Sequence, residues 1–460
     1  MMTENMQLAG RRISVVGAGV SGRALAELAA GLGAEVFVSD VKEPDAAVTK
    51  AFAEMGIKWE GGGNTERVLE ADEKLVSSGV SPKAPILEAA AAKGITVTGE
   101  LDFVSPYLSG IVIGVTGSNG KTTTTSMIGY YLERLGYSVM TGGNIGNAVA
   151  RAAGKEYDFI VLELSSFQLC WAKKFICDLA VVTNLAPDHI DWHGSYENYV
   201  AAKANLVNCL APGGAVIYQE RDEEALNIAA REEIVRYPLR WGEDDPHKRG
   251  LYLDDGVRAS WINGGGCRMK RRLFFFDDVK LLGRHNLENT AMALGVLALF
   301  NMPELSPELI ASYVPPKHRC AFAGKTRGVT FVDDSKGTNV AATVTAMTSL
   351  PGAKVIILGG QGKGEDYAPL AEAVRENTRA AVLLGSEKEK IAAALSAAGV
   401  SGCRLVNDME EAVKTAYSLA SEGDTVLLSP ACTSWDMYPS YNVRGDHFCA
   451  IVKEIIKSEE

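Results

Sequence analysis

Short apolar runs rich in Val, Ile and Leu recur along the chain. Each is followed by a polar or glycine-bearing turn, and most lead into Ala- and Leu-rich stretches. Apolar runs of about four to eight residues bounded by turn signals read as buried strands. Their alternation with helices predicts right-handed βαβ units and largely parallel sheets. Three series stand out. The first is RISVVGAG, EVFVSD, KLVSSGV and ITVTGE. The second is IVIGVTG, SVMTGG, DFIVLELSS, LAVVTNLAPDH and GGAVIY. The third is VTFVDDSKG, KVIILGG, AAVLLG and DTVLLSPA. Pro106 and Gly110 interrupt the pattern between the first two series, and Pro315-Pro316 between the last two. From about Val235 to Gly283 the texture changes to short strands with turn signals such as Asn263-Gly264. This predicts a small antiparallel addition, closed by a helix from about His285-Asn286. The expected architecture is α/β in three domains, 1–108, 109–314 and 315–460, with Rossmann-like outer domains.

Composition narrows the classes. Over 460 residues, 47% hydrophobic and 22% charged is ordinary globular usage, which excludes wholesale disorder, collagen and coiled coil. A formal charge of −11 argues against nucleic acid as a partner, so any anionic substrate must be held by local cations. The eight cysteines form no C-x-x-C pair, which suits a reducing compartment. The N-terminal MMTENMQLAGRR lacks the apolar core of a secretory signal. Ala291 to Phe300 is about half the length needed to span a bilayer. A cytoplasmic protein with no membrane insertion is expected.

In doubly wound sheets ligands sit beyond the carboxyl ends of the strands, and the polar clusters of this chain follow its apolar runs. Gly17-Ala18-Gly19-Val20-Ser21-Gly22 opens a helix after the strand ISVV. The glycines let a pyrophosphate approach a helix N-terminus, and Asp40, ending the next strand, suits a ribose or sugar hydroxyl. This motif alone does not separate NAD from another nucleotide diphosphate. A more specific signal is Gly117-Ser118-Asn119-Gly120-Lys121-Thr122-Thr123, between the strand IVIGV and a helix. Successive backbone N–H groups form an anion nest, Lys121 reaches the β- and γ-phosphates of ATP, and Thr122 suits Mg²⁺. Val115 stands where a strict P-loop has its first glycine. Glu163 and Asp188-His189 form a pair of strand ends, and an acid at the end of a strand neighbouring a phosphate loop is well placed to hold Mg²⁺. Taken alone, Lys203, in the helical run YVAAKANLVNCL, reads as a snorkelling surface lysine. The last third offers His318-Arg319, Asp333 to Asn339, Gly359 to Lys363 and Ser429 to Ser434 as binding loops.

TGSNGKTTT, GGNIG, LELSSFQL, DHIDWHGS, AAKANL, HN, HR, DDSKGTN and LSPACTSWD occur in this order, and together they resemble the Mur ligase family. These are bacterial ATP-dependent amide-forming enzymes of peptidoglycan precursor synthesis. The GxGxxG domain with DDSKGTN and LSPACTSWD is similar to the branch that adds D-glutamate to UDP-N-acetylmuramoyl-L-alanine. The resemblance runs from about Ile13 to Tyr441 and implies roles residue by residue. Val20, Ser21, Asp40, Gly79 and Asn144 would contact the UDP substrate. Gly117 to Thr123, with Asn286, Arg319 and Asp334, would bind ATP. Thr122, Glu163, His189 and Lys203 would serve two Mg²⁺ sites, Lys203 as a carbamate. Lys336, Thr338, Lys363, Ser434 and Tyr441 would line the D-glutamate pocket. SSG stands where SPG is expected near Gly79, and Trp435 and Tyr441 depart from the pattern expected around that pocket. A monomer is expected.

Overall fold

The computed structural model describes residues 8–459, apart from 44–45, 232, 244, 246, 255–256, 264–268, 282 and 316. Its strands fall into three sheets. The first holds β1 (Arg12–Val16), β2 (Glu35–Ser39), β3 (Lys58–Glu60), β4 (Glu73–Val76) and β5 (Thr96–Gly99) in the order β3-β2-β1-β4-β5. All its pairings are parallel. Strand order reverses between β1 and β4, so the crevice beyond their carboxyl ends lies at Gly17 and Ser77.

The second sheet has nine strands: β6 (Ser109–Thr116), β7 (Val139–Gly143), β8 (Glu156–Glu163), β9 (Cys177–Val182), β10 (Leu210–Gln219), β11 (Val235–Trp241), β12 (Gly250–Asp254), β13 (Arg258–Asn263) and β14 (Met269–Phe275). Their order is β14-β13-β12-β11-β10-β9-β6-β8-β7. The antiparallel part is smaller than the sequence suggests. β11 and β12 still pair in parallel with their predecessors, and only β12-β13-β14 run antiparallel. The addition is thus an extension of the parallel sheet, because the helix Glu223–Ala229 carries the chain back over it between β10 and β11. Gly264 of the Asn263-Gly264 turn and Pro316 of the Pro315-Pro316 boundary fall outside the described residues. The helix Arg284–Leu299 follows as expected and buries Ala291, Leu294 and Val296 against this sheet.

The third sheet holds β15 (Ala321–Thr326), β16 (Val329–Asp333), β17 (Lys354–Gly359), β18 (Thr378–Leu384), β19 (Arg404–Leu405) and β20 (Thr425–Leu428) in the order β15-β16-β20-β17-β18-β19. β15 is antiparallel to β16, an edge strand the apolar pattern does not reveal. Its sequence AFAGKT has no continuous apolar face, and Phe322 is exposed. β3 and β19 are too short to leave a hydrophobic signature. Among the described residues no helix is long and apolar enough to cross a membrane.

One apolar core runs without a break from the first sheet into the second. Leu101, Phe103 and Val104 belong to the same cluster as Leu169, Ala172 and Phe175. The third sheet has its own cores on its two faces.

Candidate active site

β6 delivers the chain to the phosphate-loop candidate at the middle of its sheet. Gly117 has φ +142°, and a Cβ there would run into Thr183 Oγ1, so the turn after β6 needs a residue without a side chain. Gly120, at φ +82°, turns the chain into the helix Lys121–Arg134. The N-terminus of that helix presents free N–H groups and the positive end of its dipole, the arrangement that receives phosphate. Lys121 Nζ donates to the carbonyls of Gly117 and Ser118 at 2.7 and 2.9 Å, folded back over its own loop. Burial lowers its pKa.

A cavity of about 810 Å³ opens at this loop, between the second and third sheets. Its lining gathers Ser118 to Thr123, Asn144, Glu163, His189, Asn286, Arg319, Asp334, Lys336, Thr338, Lys363, Ser434 and Tyr441. Four cationic side chains, Lys121, Arg319, Lys336 and Lys363, face three carboxylates, Glu163, Asp188 and Asp334. A chain of net charge −11 thus gathers four basic side chains in one place, nearly balanced by three acids.

Glu163 ends β8. Its Oε1 accepts from Asn144 Nδ2 at 2.7 Å, while Oε2 is buried with no hydrogen-bond partner. Burial alone would raise its pKa, but Lys121 and Lys336 nearby hold it below the ordinary carboxylate value. Thr122 Oγ1 lies beside it and accepts from Arg319 Nη2 at 2.8 Å and Lys336 Nζ at 3.0 Å. Burial, then the Arg319 charge, bring Lys336 down to about 7. Asp334 accepts from Ser429 Oγ at 2.7 Å, and burial pushes its pKa up to about 6. Burial brings His189 down to about 4, so its imidazole is uncharged at neutral pH. Ser434 Oγ is buried without a partner, and the ring of Tyr441 sits 5.3 Å from Lys336 Nζ.

Lys203 corrects the reading of it as a surface lysine: it is 1% exposed. Its Nζ donates to the carbonyl of Gly117 at 2.7 Å and lies over the ring of Tyr199, while burial pushes its pKa far down. It stands behind the phosphate loop and does not line the cavity. Val20, Ser21, Asp40 and Gly79 also lie away from the cavity, at the strand ends of the first sheet. Val20 and Gly79 are exposed. Asp40 accepts the backbone N–H of Ala18, so the acid and the glycine-rich loop are already joined. Asn144 is the one residue expected against the UDP substrate that reaches the main cavity.

The sequence gives no hint of Arg444, an arginine in the amphipathic helix Tyr441–Glu459. It is 3% exposed and donates to the carbonyls of Ser335, Cys432 and Thr433, so it ties the loops after β16 and β20 together.

The MurD N-terminal domain model matches residues 12–86, the Mur ligase middle domain 115–297, and the Mur ligase glutamate ligase domain 318–432. A UDP-N-acetylmuramoylalanine–D-glutamate ligase of Streptococcus pneumoniae is 34% identical over 456 residues, 98% of each chain. One of Christiangramia forsetii is 34% identical over 97% of this chain and 100% of its own length. Among solved structures, a pseudomurein peptide ligase type C of Methanothermus fervidus superposes with TM-score 0.60 at 17% identity, covering 97% of this chain and 100% of that one. The UDP-N-acetylmuramate–alanine ligase MurC of Thermotoga maritima gives 0.58 at 17%, covering 96% and 99%. These two likenesses carry the fold. With three family models in order and relatives matched over nearly their whole length, the chain belongs to the Mur ligase family of ATP-dependent, amide-bond-forming ligases.

Proposed function

We propose that this enzyme joins D-glutamate to UDP-N-acetylmuramoyl-L-alanine at the expense of ATP, a step of peptidoglycan precursor synthesis in the cytoplasm. The observation that carries the reading is the cavity itself. A phosphate-binding helix N-terminus on one wall faces a cluster of cations and hydroxyls from three loops of the third sheet on the other. The full-length relatives, named as D-glutamate ligases, give the substrates.

The chemistry follows from the poor leaving ability of a carboxylate oxygen. A carboxylate oxygen of the UDP substrate attacks the γ-phosphorus of ATP and ADP leaves, forming an acyl phosphate. The amine of D-glutamate then attacks the acyl carbon. The tetrahedral intermediate expels phosphate, and the amine gives up a proton as the amide forms. Lys121 swings from its own loop carbonyls to the transferring phosphoryl group, where its charge stabilises the transition state. Arg319 and Lys336 reach the same point from the third domain, at Thr122. Closure of the third domain over the cavity keeps water from the acyl phosphate.

Mg²⁺ suits the hard oxygen donors of Thr122 and Glu163. Thr122 and Glu163 would hold it, Glu163 through the buried Oε2 that has no other partner, with His189 beside them. Bound there, the ion would neutralise phosphate charge. A carbamate on Lys203 would add a negative oxygen donor behind the loop. The neutral amine that burial favours is the form that reacts with carbon dioxide. Val20, Ser21, Asp40 and Gly79 would hold the UDP end along the first sheet, with Asn144 near the reacting end. Asn286, Asp334 and Arg319 would hold ATP, and Lys336, Thr338, Lys363, Ser434 and Tyr441 would receive D-glutamate. The proposed domains, 1–108, 109–314 and 315–460, would carry one sheet each.

The test is product identity. Incubation with ATP, Mg²⁺, the UDP substrate and D-glutamate gives a product heavier by one glutamyl residue, together with ADP and phosphate in equal amounts. Phosphate release without that product sinks the reading.

A further inference from the structure

We propose that Asp188 is a positioning residue that completes the amino-acid site from the opposite domain, holding Lys363 in place once the third domain sits on the second. The inference rests on the reading above, in which Lys363 receives a carboxylate of D-glutamate.

Asp188 follows β9 of the middle sheet and is 6% exposed. Both of its oxygens turn to the third domain. Oδ1 accepts from Lys363 Nζ at 2.9 Å, and Oδ2 accepts from Asn339 Nδ2 at 3.1 Å. These two partners sit in different loops. Lys363 follows β17. Asn339 follows β16 and caps the helix Val340–Ser349 through Ala342 N at 2.7 Å. One carboxylate thus fixes two third-domain loops against the second domain.

The contrast with Glu163 defines the role. Both acids end neighbouring regions of the same sheet and both line the cavity. Glu163 keeps a buried oxygen without a partner, as a group awaiting a ligand does. Asp188 keeps none. The strand-end acid that sequence reasoning offers to a metal is already committed to the third domain.

A lysine ammonium has three donors on a flexible four-carbon stem. Asp188 takes one donor and so restrains the stem, and two donors remain for a substrate carboxylate. When the third domain swings away, Lys363 loses its partner and the site loses its orientation. The amino acid is therefore recognised with its lysine oriented only when the third domain sits on the second.

Steady-state kinetics with each substrate varied in turn tests this. Asp188→Asn is expected to raise KM for D-glutamate about 10–150-fold, the range for loss of a charge-assisted hydrogen bond, with KM for ATP and for the UDP substrate little changed. Asp188→Glu, which restores the charge, should recover part of the loss. Asn339→Ala should give a smaller rise in the same direction, and it carries the test if Asp188→Asn does not fold. A fall in KM for D-glutamate overturns the proposal, because Asp188 would then be a competitor for Lys363. So does an unchanged KM with a lowered kcat, or an equal rise in all three KM values. The wild-type enzyme in the same assay reads the substrate assignment by itself: failure to use D-glutamate there is a failure of the proposed function, separate from any effect of Asp188.

Discussion

The junction between the first and second sheets and the junction between the second and third are built from opposite materials. At the first, Phe103 and Val104 share one apolar core with Leu169 and Phe175. Gly99 packs so close to Trp171 that no side chain fits between them. The Asp102 carboxylate caps the backbone N–H groups of Lys173, Lys174 and Phe175. At the second junction the contacts are polar: Arg319 and Lys336 on Thr122, Lys363 and Asn339 on Asp188, and His285 with Ser349. Burial of apolar surface is non-directional and hard to undo piecemeal, whereas hydrogen bonds between charged groups exchange readily for bonds to water or ligand. The first junction is therefore expected to hold two sheets as one body, and the second to open first. In the proposed function the substrates' reacting ends meet at this polar junction.

This contrast predicts which changes cost stability and which cost activity. Phe175→Ala, at the fused junction, should destabilise the fold by about 3–5 kcal/mol. A denaturant midpoint reads this, and KM for D-glutamate should not change selectively. Lys121→Ala should lower kcat on the order of 10²–10³-fold, about 3–4 kcal/mol, with an unchanged melting temperature. Wild-type turnover in that variant removes the phosphate-loop assignment. Lys363→Ala should weaken D-glutamate use about 10–150-fold, about 1.5–3 kcal/mol, while ATP binding is little affected.

The smallest effect at neutral pH concerns three histidines, His189, His193 and His285, which burial brings down to about 4 each. An ordinary histidine titrates near 6.5, so between about 6.5 and 4 the unfolded chain binds protons the folded one does not. Their contribution to stability is complete above about pH 6.5 and lost as pH falls toward 4. Melting temperature should fall over that window. Scattering should show the third domain loosening before the first, since His189 and His285 lie at the polar junction. Loosening of the first junction ahead of the second contradicts the comparison.

Much of this was legible in the chain because long apolar strands and the glycine-rich turns after them are local signals. The phosphate loop, Glu163 and the loops after β16, β17 and β20 were all readable as strand ends. Three things were not. β15 hides because an edge strand needs no continuous apolar face. The parallel pairing of β11 and β12 depends on a crossover that periodicity does not encode. The burial of Lys203 and Arg444 depends on which carbonyls the fold brings to them, Gly117 for one and Ser335, Cys432 and Thr433 for the other. Local sequence around either reads as a helix surface.

In the proposed function the second junction forms a site for one particular amino acid. D-glutamate carries two carboxylates, which Lys336 and Lys363 can meet from different strand ends, with Thr338 and Ser434 supplying hydroxyls. D-alanine lacks the second carboxylate and would leave a buried cation unpaired. L-glutamate, held by the same two carboxylates, would present its amine from the wrong direction. The direct measurement is kcat/KM for D-glutamate, L-glutamate, D-alanine and L-lysine, read as phosphate release with ATP, Mg²⁺ and the UDP substrate present. Release is expected to require both the UDP substrate and an amino acid, with D-glutamate preferred over the other three. Preference for L-lysine or L-glutamate, or release at the full rate with no amino acid, would contradict that expectation.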